Sequence, residues 1–260
     1  MNDFDFERLR RWPDVEADNL FAVDASDRLI LDEAAESLAA AGAGEVVVLE
    51  DHYGALTLGA AALHQAQGIR VHQDALSGEQ ALAANAAAVG LTDVYRSLDL
   101  VPELLAGARV VLLQLPRSLS ALDEIAGMIA LHAAPDVRVF AGGRIKHMTS
   151  AMNEVLGRHF IDVRASRARQ KSRVLVAAVP RLSERSEAVW PECREHADLG
   201  LTVCAHGAAF AGTSIDIGTR FLLEFLDRMK PDASSAIDLG SGTGVLAASL
   251  AMQRPGIRVI

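Results

Sequence analysis

The feature that most constrains the fold is an alternation of short apolar runs with helical segments along the first 180 residues. The runs "EVVVLED", "ARVVLLQLP" and "SRVLVAAVP" are typical of strands buried on both faces of a sheet. Between them, "ALTLGAAALHQAQG", "SGEQALAANAAAVG" and "SLSALDEIAGMIALHAAP" have helical spacing. Strands that alternate with helices of this length predict an α/β domain with a parallel, doubly wound sheet over residues 1–180.

The pattern changes after Pro180. Residues 181–200, "RLSERSEAVWPECREHADLG", are polar and weakly patterned, so we interpret them as a linker. Residues 201–260 contain a short strand, a helix in "GTSIDIGTRFLLEFLDRMKP", and the strand–turn–helix segment "AIDLGSGTGVLAASLA". A nucleotide-binding domain that opens at Ala236 is not completed by Ile260. We therefore expect residues 201–260 to be the N-terminal part of a truncated second domain.

Composition and charge exclude some classes of protein. A net charge of −9 argues against a surface that coats nucleic acid everywhere, although it permits a local basic face. The start, "MNDFDFERLRR", is charged, and no run approaches the ~18 apolar residues of a membrane span. Cys193 and Cys204 have no second pair, so we expect reduced thiols and no metal site. The sequence predicts a cytoplasmic protein without membrane contact, with a monomer as the favoured state.

A repeat links the two halves of the chain. At an offset of 190, "VVVLEDHYGALTLGAAAL" (46–63) falls on "AIDLGSGTGVLAASLAMQ" (236–253), and after a two-residue slip "GIRV" at 68–71 matches "GIRV" at 256–259. The second copy has Asp238 and three alternate glycines, where the first has Val48 and a bulky acidic turn. The first domain therefore looks like a copy that kept the fold and lost its cofactor site.

The sequence of the glycine turn indicates which class of nucleotide-like cofactor it binds. A P-loop needs Lys and Ser/Thr after its last glycine, where Val245 and Leu246 stand, and a dinucleotide fingerprint needs a third glycine at position 245. An acid followed by alternate glycines directly after a strand fits S-adenosylmethionine instead. The glycines let the backbone pass close under the cofactor, and Asp238 can meet its positive amino end. The alternative is a tight turn that binds nothing.

Two further segments carry weaker signals. Gly218 and Thr219 lie at the start of a helix, where free backbone donors could bind a carboxylate, or where the helix is simply capped. The segment "RASRARQKSR" is either a solvated loop between strands or a patch that contacts phosphates. Its basic residues are Arg164, Arg167, Arg169, Lys171 and Arg173.

The segments "FAGTSIDIGTRFLLEFL" and "AIDLGSGTGVLAASLA" resemble the methyltransferase small domain of bacterial ribosomal RNA guanine-N2 methyltransferases. The likeness is to the group of small-subunit methyltransferase C and large-subunit methyltransferase G. Members of this group carry two tandem Rossmann-like methyltransferase domains, the N-terminal one degenerate, and "VVLLQLPRSLSALDEI" is similar to a segment of that domain. The resemblance implies an S-adenosylmethionine-dependent enzyme whose partner is ribosomal RNA or a ribosomal subunit.

The resemblance also assigns residues. Asp238, Gly240, Ser241, Gly242 and Gly244 match the family's cofactor loop. The segment before it, which borders the cofactor, is matched by Asp216, Gly218 and Thr219. The family's catalytic Asn-Pro-Pro-aromatic element is absent from the chain, and the counterpart "QLPR" lacks both the Asn and the double proline. The resemblance therefore implies a catalytic residue beyond Ile260, so we expect no methyl transfer and weak or no cofactor affinity from these 260 residues.

We interpret the chain as part of an enzyme that methylates a guanine exocyclic amine of ribosomal RNA. In this interpretation the first domain docks RNA through the segment from Arg164 to Arg173. Two alternatives remain open at this stage. One is a methyltransferase that acts on protein or a small molecule. The other is a non-catalytic RNA-binding module, in which the degenerate first domain is the functional unit.

Overall fold

A computed structural model describes residues 4–181 and 190–260, which form two compact units, Met1–Ser186 and Glu187–Ile260. The boundary lies inside the predicted linker of residues 181–200. That prediction is wrong in its second half, because Glu192–His196 form a strand that pairs within the second unit. Polar side chains concealed this strand from the sequence pattern. Residues 182–189 of the predicted linker lie outside the described residues.

The first unit alternates strands and helices as predicted, with two additional strands. Its strands are β1 Val46–Leu49, β2 Ile69–His72, β3 Tyr95–Ser97, β4 Val110–Gln114, β5 Arg138–Arg144, β6 Phe160–Ala165 and β7 Ser172–Pro180. Its helices are α1 Ala25–Ala40, α2 Ala55–His64, α3 Leu76–Val89, α4 Pro102–Leu105, α5 Leu119–His132 and α6 Ser150–His159. A short 3₁₀ helix, Ile145–His147, follows β5.

The seven strands form one sheet in the order β3-β2-β1-β4-β5-β7-β6. The first five are parallel, as predicted, but β7 runs antiparallel to both β5 and β6. The prediction of a wholly parallel sheet is therefore wrong at this edge. The reason is that β6 and β7 are joined by a short loop, residues 166–171, which allows an antiparallel hairpin but not the long crossover that a parallel pair requires.

The core lies on both faces of this sheet. Along β1, Val46 and Val48 belong to the hydrophobic cluster that contains α1 and α2 side chains, whereas Val47 and Leu49 belong to the cluster of α5 and α6. All four side chains are at most 1% exposed. Because successive residues of a strand point to opposite faces, β1 is a central strand covered by helices on both sides.

The second unit contains a hairpin followed by a strand–helix–strand unit. Its elements are β8 Glu192–His196, β9 Leu201–Ala205, α7 Ile217–Leu223, β10 Ser235–Ala236, α8 Val245–Gln253 and β11 Arg258–Val259. β8 and β9 pair antiparallel, and β10 and β11 pair parallel. A small cluster of Val203, Ile215 and Val245 joins the hairpin to the start of α8.

The hairpin corrects the expectation for the cysteines. Cys193 on β8 lies directly opposite Cys204 on β9, with 4.1 Å between their Cα atoms, and the two form a disulfide. The prediction of reduced thiols is wrong because the hairpin register brings the two side chains together. A spacing of eleven residues in a sequence does not reveal that register.

None of the helices in the described ranges is long and apolar enough to cross a membrane.

Candidate functional site

The glycine turn of the second unit leads directly into helix α8. Gly240, Gly242 and Gly244 have φ angles of +73°, +55° and +74°, so all three adopt the left-handed backbone conformation that glycine adopts without strain. Gly244 is the N-cap of α8. A Cβ atom added to any of the three would meet no atom within 4 Å among the described residues. The turn is therefore open, and a ligand can approach its backbone.

This turn borders a cleft of about 220 Å³. The cleft is lined by six of the eight predicted cofactor residues, Asp216, Thr219, Asp238, Gly240, Ser241 and Gly242. Gly218 and Gly244 are not among its lining residues, although each is adjacent to one. Phe210, Ser214, Ile215 and Leu246 complete its walls with others. The structure thus brings most of the predicted cofactor residues to one place.

Asp238 both lines the cleft and holds the start of α8. Its Oδ2 accepts a hydrogen bond from the backbone N–H of Ala247 at 3.1 Å. This N–H belongs to the first turn of the helix, where backbone donors have no partner within the helix itself. The acid after the strand therefore fixes the turn between β10 and α8 while remaining half-buried at the cleft.

Asp216 caps helix α7 in a similar way. Its Oδ1 accepts hydrogen bonds from the backbone N–H groups of Gly218, at 2.9 Å, and Thr219, at 3.2 Å. The Thr219 hydroxyl also donates to its Oδ2, and these bonds lower the pKa of the Asp216 carboxyl. Of the two alternatives for Gly218 and Thr219, the structure has the capped helix, because the aspartate that precedes them accepts from both N–H groups.

The charge of the cleft restricts its ligand. Two carboxylates, those of Asp216 and Asp238, line it, and its lining includes no Lys, Arg or His among the described residues. Carboxylates repel phosphates and attract ammonium or sulfonium groups, which places this turn apart from the phosphate-binding loops of P-loop proteins. The cleft suits a small ligand that carries positive charge.

The corresponding turn of the first unit follows the same backbone path with different side chains. Glu50 and His52, each with φ +57°, and Gly54, with φ +91°, occupy the positions of the three glycines at the same offset of 190. Gly54 is the N-cap of α2, as Gly244 is of α8. Two residues with side chains thus retain a left-handed conformation, which costs about 1–2 kcal/mol each. This agreement of backbone angles supports the predicted duplication.

The strand register corrects one detail of that duplication. Val47 pairs with Arg70 in the first unit, so Val46 lies opposite Ile69. In the second unit Ala236, the counterpart of Val46, pairs with Val259. Val259 therefore corresponds to Ile69 and not to Val71, and the two-residue slip that aligned the "GIRV" segments is wrong.

The turn of the first unit is closed by side chains of that unit. The Asp51 carboxylate is 2% exposed and accepts hydrogen bonds from the backbone N–H groups of Leu56, at 2.7 Å, and Thr57, at 2.8 Å. A Cβ on Gly54 would lie 2.7 Å from Leu82 Cδ1. The space above the turn is filled by protein, and the helix donors are already used. This arrangement supports the prediction that the first domain lost its cofactor site.

The end of β4 shows the same change. Gln114, the first residue of "QLPR", is buried and donates to the Asp27 carboxylate, while its side chain also contacts the Ser26 hydroxyl at 3.1 Å. Burial raises the pKa of Asp27 to about 8, with a contribution from the nearby carboxylate of Asp51. The Gln114 side chain thus fastens the N-terminus of α1 to the sheet, where it is not available to a substrate.

The predicted basic segment lies on the β6–β7 hairpin. All five of its cations are exposed. Arg164 pairs with Asp162 at 2.6 Å, and Arg169 pairs with Asp32. Arg164 lies opposite Val176 on β7, so Arg173, three residues earlier on that strand, points to the other face of the sheet. The five do not form one continuous surface, and contact with RNA through them stays a prediction.

Sequence reasoning missed a second group of cations at the carboxyl edge of the sheet. Arg117 follows β4, and Arg144, Lys146 and His147 end or follow β5. The run "GGRIKH" directly after an apolar strand was the available signal. Across the described ranges, no group of three or more His, Cys, Asp or Glu side chains is placed to hold a metal ion.

A sheet of order β3-β2-β1-β4-β5-β7-β6, together with an open glycine turn before a helix, defines a protein with a Rossmann-like methyltransferase fold. The chain belongs to the family described as the RLMG N-terminal domain, whose model matches residues 1–181. The model of the methyltransferase small domain matches residues 200–260. These two matches confirm the recognised family and the fold class.

Named relatives agree with this assignment. Ribosomal RNA large subunit methyltransferase G of Pseudomonas syringae pv. tomato is 32% identical over 250 residues, and that of Pseudomonas putida (strain GB-1) is 34% identical over 255. In each case the match covers 95% of this chain and 65% of the relative. The chain thus spans about two thirds of the length of these relatives.

The fold agrees with one solved structure over most of the chain. The T. thermophilus 16S rRNA N2 G1207 methyltransferase, solved in complex with AdoMet and guanosine, superposes with a TM-score of 0.62 at 20% identity. The superposition covers 88% of this chain and 61% of that one.

Proposed function

We propose that the second domain binds S-adenosylmethionine at the glycine turn. The observation that carries this proposal is the open turn itself, with three glycines in the left-handed conformation beside two carboxylates. Gly240 and Gly242 would pass under the methionine part of the cofactor, and Asp238 and Asp216 would face its cationic groups. The residues present fit this cofactor better than a phosphate-bearing one, because the cleft is acidic. Bound there, S-adenosylmethionine supplies an electrophilic methyl group.

We further propose that the chain belongs to an enzyme that methylates a guanine exocyclic amine in large-subunit ribosomal RNA, in the cytoplasm. The names of the relatives support the large subunit, and the printed title of the solved neighbour supports N2 of guanine. A guanine amine is conjugated with its ring, so positioned acceptors must free its lone pair for attack. The target base must also leave its stack to reach the methyl group.

The chain's own residues have a restricted part in this reaction. The sequence contains no Asn-Pro-Pro element, and Gln114, which stands at the corresponding place in the first domain, is bonded to Asp27. We therefore propose that the 260 residues bind cofactor weakly, dock RNA and transfer no methyl group. Incubation with tritiated S-adenosylmethionine and ribosomal RNA should leave the RNA unlabelled. Label in the RNA above the level of a no-protein control would contradict this part of the proposal.

The binding step has its own test. In a ¹H–¹⁵N spectrum of the 260-residue chain, S-adenosylmethionine should shift the amide signals of Gly240, Gly242 and Gly244 and leave Gly54 in place. Such a titration detects weak binding. ATP and NAD⁺ serve as controls, since the carboxylates of the cleft should repel their phosphates. Equal shifts with ATP, or no shift of the three glycines at any concentration of S-adenosylmethionine, would overturn the assignment of the cofactor.

The variant Asp238→Asn gives a second control. It keeps an oxygen that can accept from the Ala247 N–H and removes the negative charge. We expect the helix to stay capped while the shifts caused by S-adenosylmethionine weaken.

A further inference from the structure

The carboxyl edge of the first-domain sheet carries a concentration of positive charge. Arg117, Lys146 and His147 are exposed there, and Arg144 is half-buried. Lys171 and Arg173 lie beside them at the start of β7. We call these six residues the edge cluster. None of the six forms an ion pair with a carboxylate within the described ranges, unlike Arg164 and Arg169. A chain with a net charge of −9 thus keeps five uncompensated cations on one edge, beside the His147 imidazole.

Backbone hydrogen bonds fix the segments of this cluster against one another. The N–H of Leu115 donates to the Gly142 carbonyl at 2.8 Å, which ties the loop of Arg117 to β5. The N–H of Ile145 donates to the Lys171 carbonyl at 2.9 Å, and Arg144 lies opposite Ser172 in the sheet. The cations therefore project from a rigid edge and not from a long loop. Preorganised charges lose less entropy on binding than charges on mobile segments.

The electrostatics of His147 indicate how close the cations are. Desolvation lowers the pKa of His147, and the charges of Arg117, Lys146 and Arg144 lower it further. Asp24 acts in the opposite direction and is the nearby carboxylate that faces this group. Three cations that repel a fourth group at one place make a surface suited to an anionic polymer.

We propose that the edge cluster is the RNA-docking surface of the first domain, and that it contacts the phosphate backbone. The edge cluster follows the carboxyl ends of parallel strands in the first domain. The glycine turn has the equivalent position in the second domain, where it follows the carboxyl end of β10. The first domain thus has a closed turn, and its cations lie a few strands away from it. This inference rests on the proposed ribosomal RNA substrate and replaces the β6–β7 hairpin as the main contact, with Lys171 and Arg173 shared by both.

The test compares two double variants of the full 260-residue chain that remove the same charge. In Arg117→Gln/Lys146→Gln, the cations after β4 and β5 are lost. In the matched control, Arg109→Gln/Arg138→Gln, cations before β4 and at the start of β5 are lost, at the opposite ends of the same two strands. A fluorescein-labelled RNA hairpin is titrated at several salt concentrations, and binding is followed by fluorescence anisotropy.

We expect the edge variant to bind at least about tenfold more weakly, and its slope of log affinity against log salt to fall by about 1.5, since each phosphate contact contributes about 0.7–0.9. The control should bind as the unchanged chain does. Equal losses in both variants, or no loss in the edge variant, would overturn the proposal. A third variant, Arg164→Gln/Arg169→Gln, should have a smaller effect than the edge variant, and a larger effect would return the contact to the hairpin.

The outcome is separable from that of the cofactor proposal. The RNA titration contains no S-adenosylmethionine, and the cofactor titration reads the glycine amides of the second unit. A failure of one therefore leaves the result of the other intact. Circular dichroism of each variant establishes that these surface substitutions leave the fold unchanged.

Discussion

The turns that precede α2 and α8 have similar backbone conformations, but the first is filled by protein and the second is open. Both pass through three left-handed residues, and both end in a glycine N-cap. In the second unit the positions are glycine and the space above them is open. In the first unit Glu50 and His52 hold two of the positions, and the acid that satisfies the helix donors is in the turn itself, at Asp51. The comparison teaches that such a turn can form without a glycine at every left-handed position.

The hydrogen bonds of Asp51 and Asp238 explain how the first turn tolerates two left-handed residues with side chains. Asp51 accepts from two buried N–H groups, whereas Asp238 accepts from one and stays half-buried at its cleft. Hydrogen bonds donated to a charged acceptor are worth about 1.5–3 kcal/mol each. They offset the cost of about 1–2 kcal/mol for each left-handed residue with a side chain. The first turn thus has internal hydrogen bonds where the second turn has an open surface.

The strongest test of this difference between the two turns is to replace each acid, Asp51 and Asp238, by alanine. Asp51→Ala leaves two buried N–H groups without a partner and should destabilise the first unit by about 4 kcal/mol. Asp238→Ala removes one bond from a half-buried cap and should cost about 1 kcal/mol. Hydrogen exchange of peptides from α2 and α8, read by mass spectrometry, measures each loss of protection. Equal losses at the two helices would show that the caps do not differ.

A second pair of variants compares the N-cap glycines. Gly54→Ala places a Cβ 2.7 Å from Leu82 in a left-handed conformation, so strain and overpacking together should cost about 3 kcal/mol. Gly244→Ala has the same backbone strain with open space around it, and should cost about 1 kcal/mol. Urea unfolding followed by circular dichroism measures Gly54→Ala, and exchange at α8 measures Gly244→Ala. The idea that the first turn is closed would fail if Gly54→Ala were the milder change.

A third comparison concerns pH, and its effect is specific to the first unit. Burial raises the pKa of the Asp27 carboxyl from its ordinary value of 3.8 to about 8, so folding takes up a proton between these limits. The resulting stability is complete below about pH 4 and is lost as the pH rises through 8. The free energy of unfolding should fall by up to about 1.4 kcal/mol per pH unit, or about 2 kcal/mol from pH 6 to 7.5.

The variant Asp27→Asn should remove most of this dependence, since it has no proton to take up. Urea unfolding at a series of pH values measures both chains. A slope unchanged by Asp27→Asn would assign the dependence to another group, such as Asp51, whose pKa burial raises to about 6.

The sequence predicted the central strands of the sheet and missed its edges. β1 is apolar throughout and β4 is apolar up to its last residue, Gln114, so their sequences stand out as short hydrophobic runs. β3 and β6 are the two edge strands, and they carry Arg96, Asp162 and Arg164. Edge strands contact solvent and commonly hold charges, so no apolar run marks them. The sequence of β8 is polar and contains no apolar run either, so it predicts a linker and not a strand.

Some features of the candidate site were also predictable from the sequence, and others were not. The glycine turn was predictable because its residues are adjacent in the chain, and so was the difference in residue type at the first turn. The bonds of Asp216 to the next helix turn and the pairing of Cys193 with Cys204 depend on three-dimensional placement. The edge cluster joins residues from β4, β5 and β7, and no sequence spacing reveals that these strands are neighbours.

The left-handed residues Glu50 and His52 have a consequence for finding lost sites in other proteins. Sequence patterns detect a nucleotide loop by its glycines, and they fail once those glycines are replaced. Positive φ angles at alternate positions between a buried strand and a helix persist in this chain after the replacement. A search of structures for that pattern of φ angles, with no requirement on residue type, would find such turns even where the glycines are absent. Here it would have identified the turn before α2 as the counterpart of the turn before α8 without any comparison of sequences.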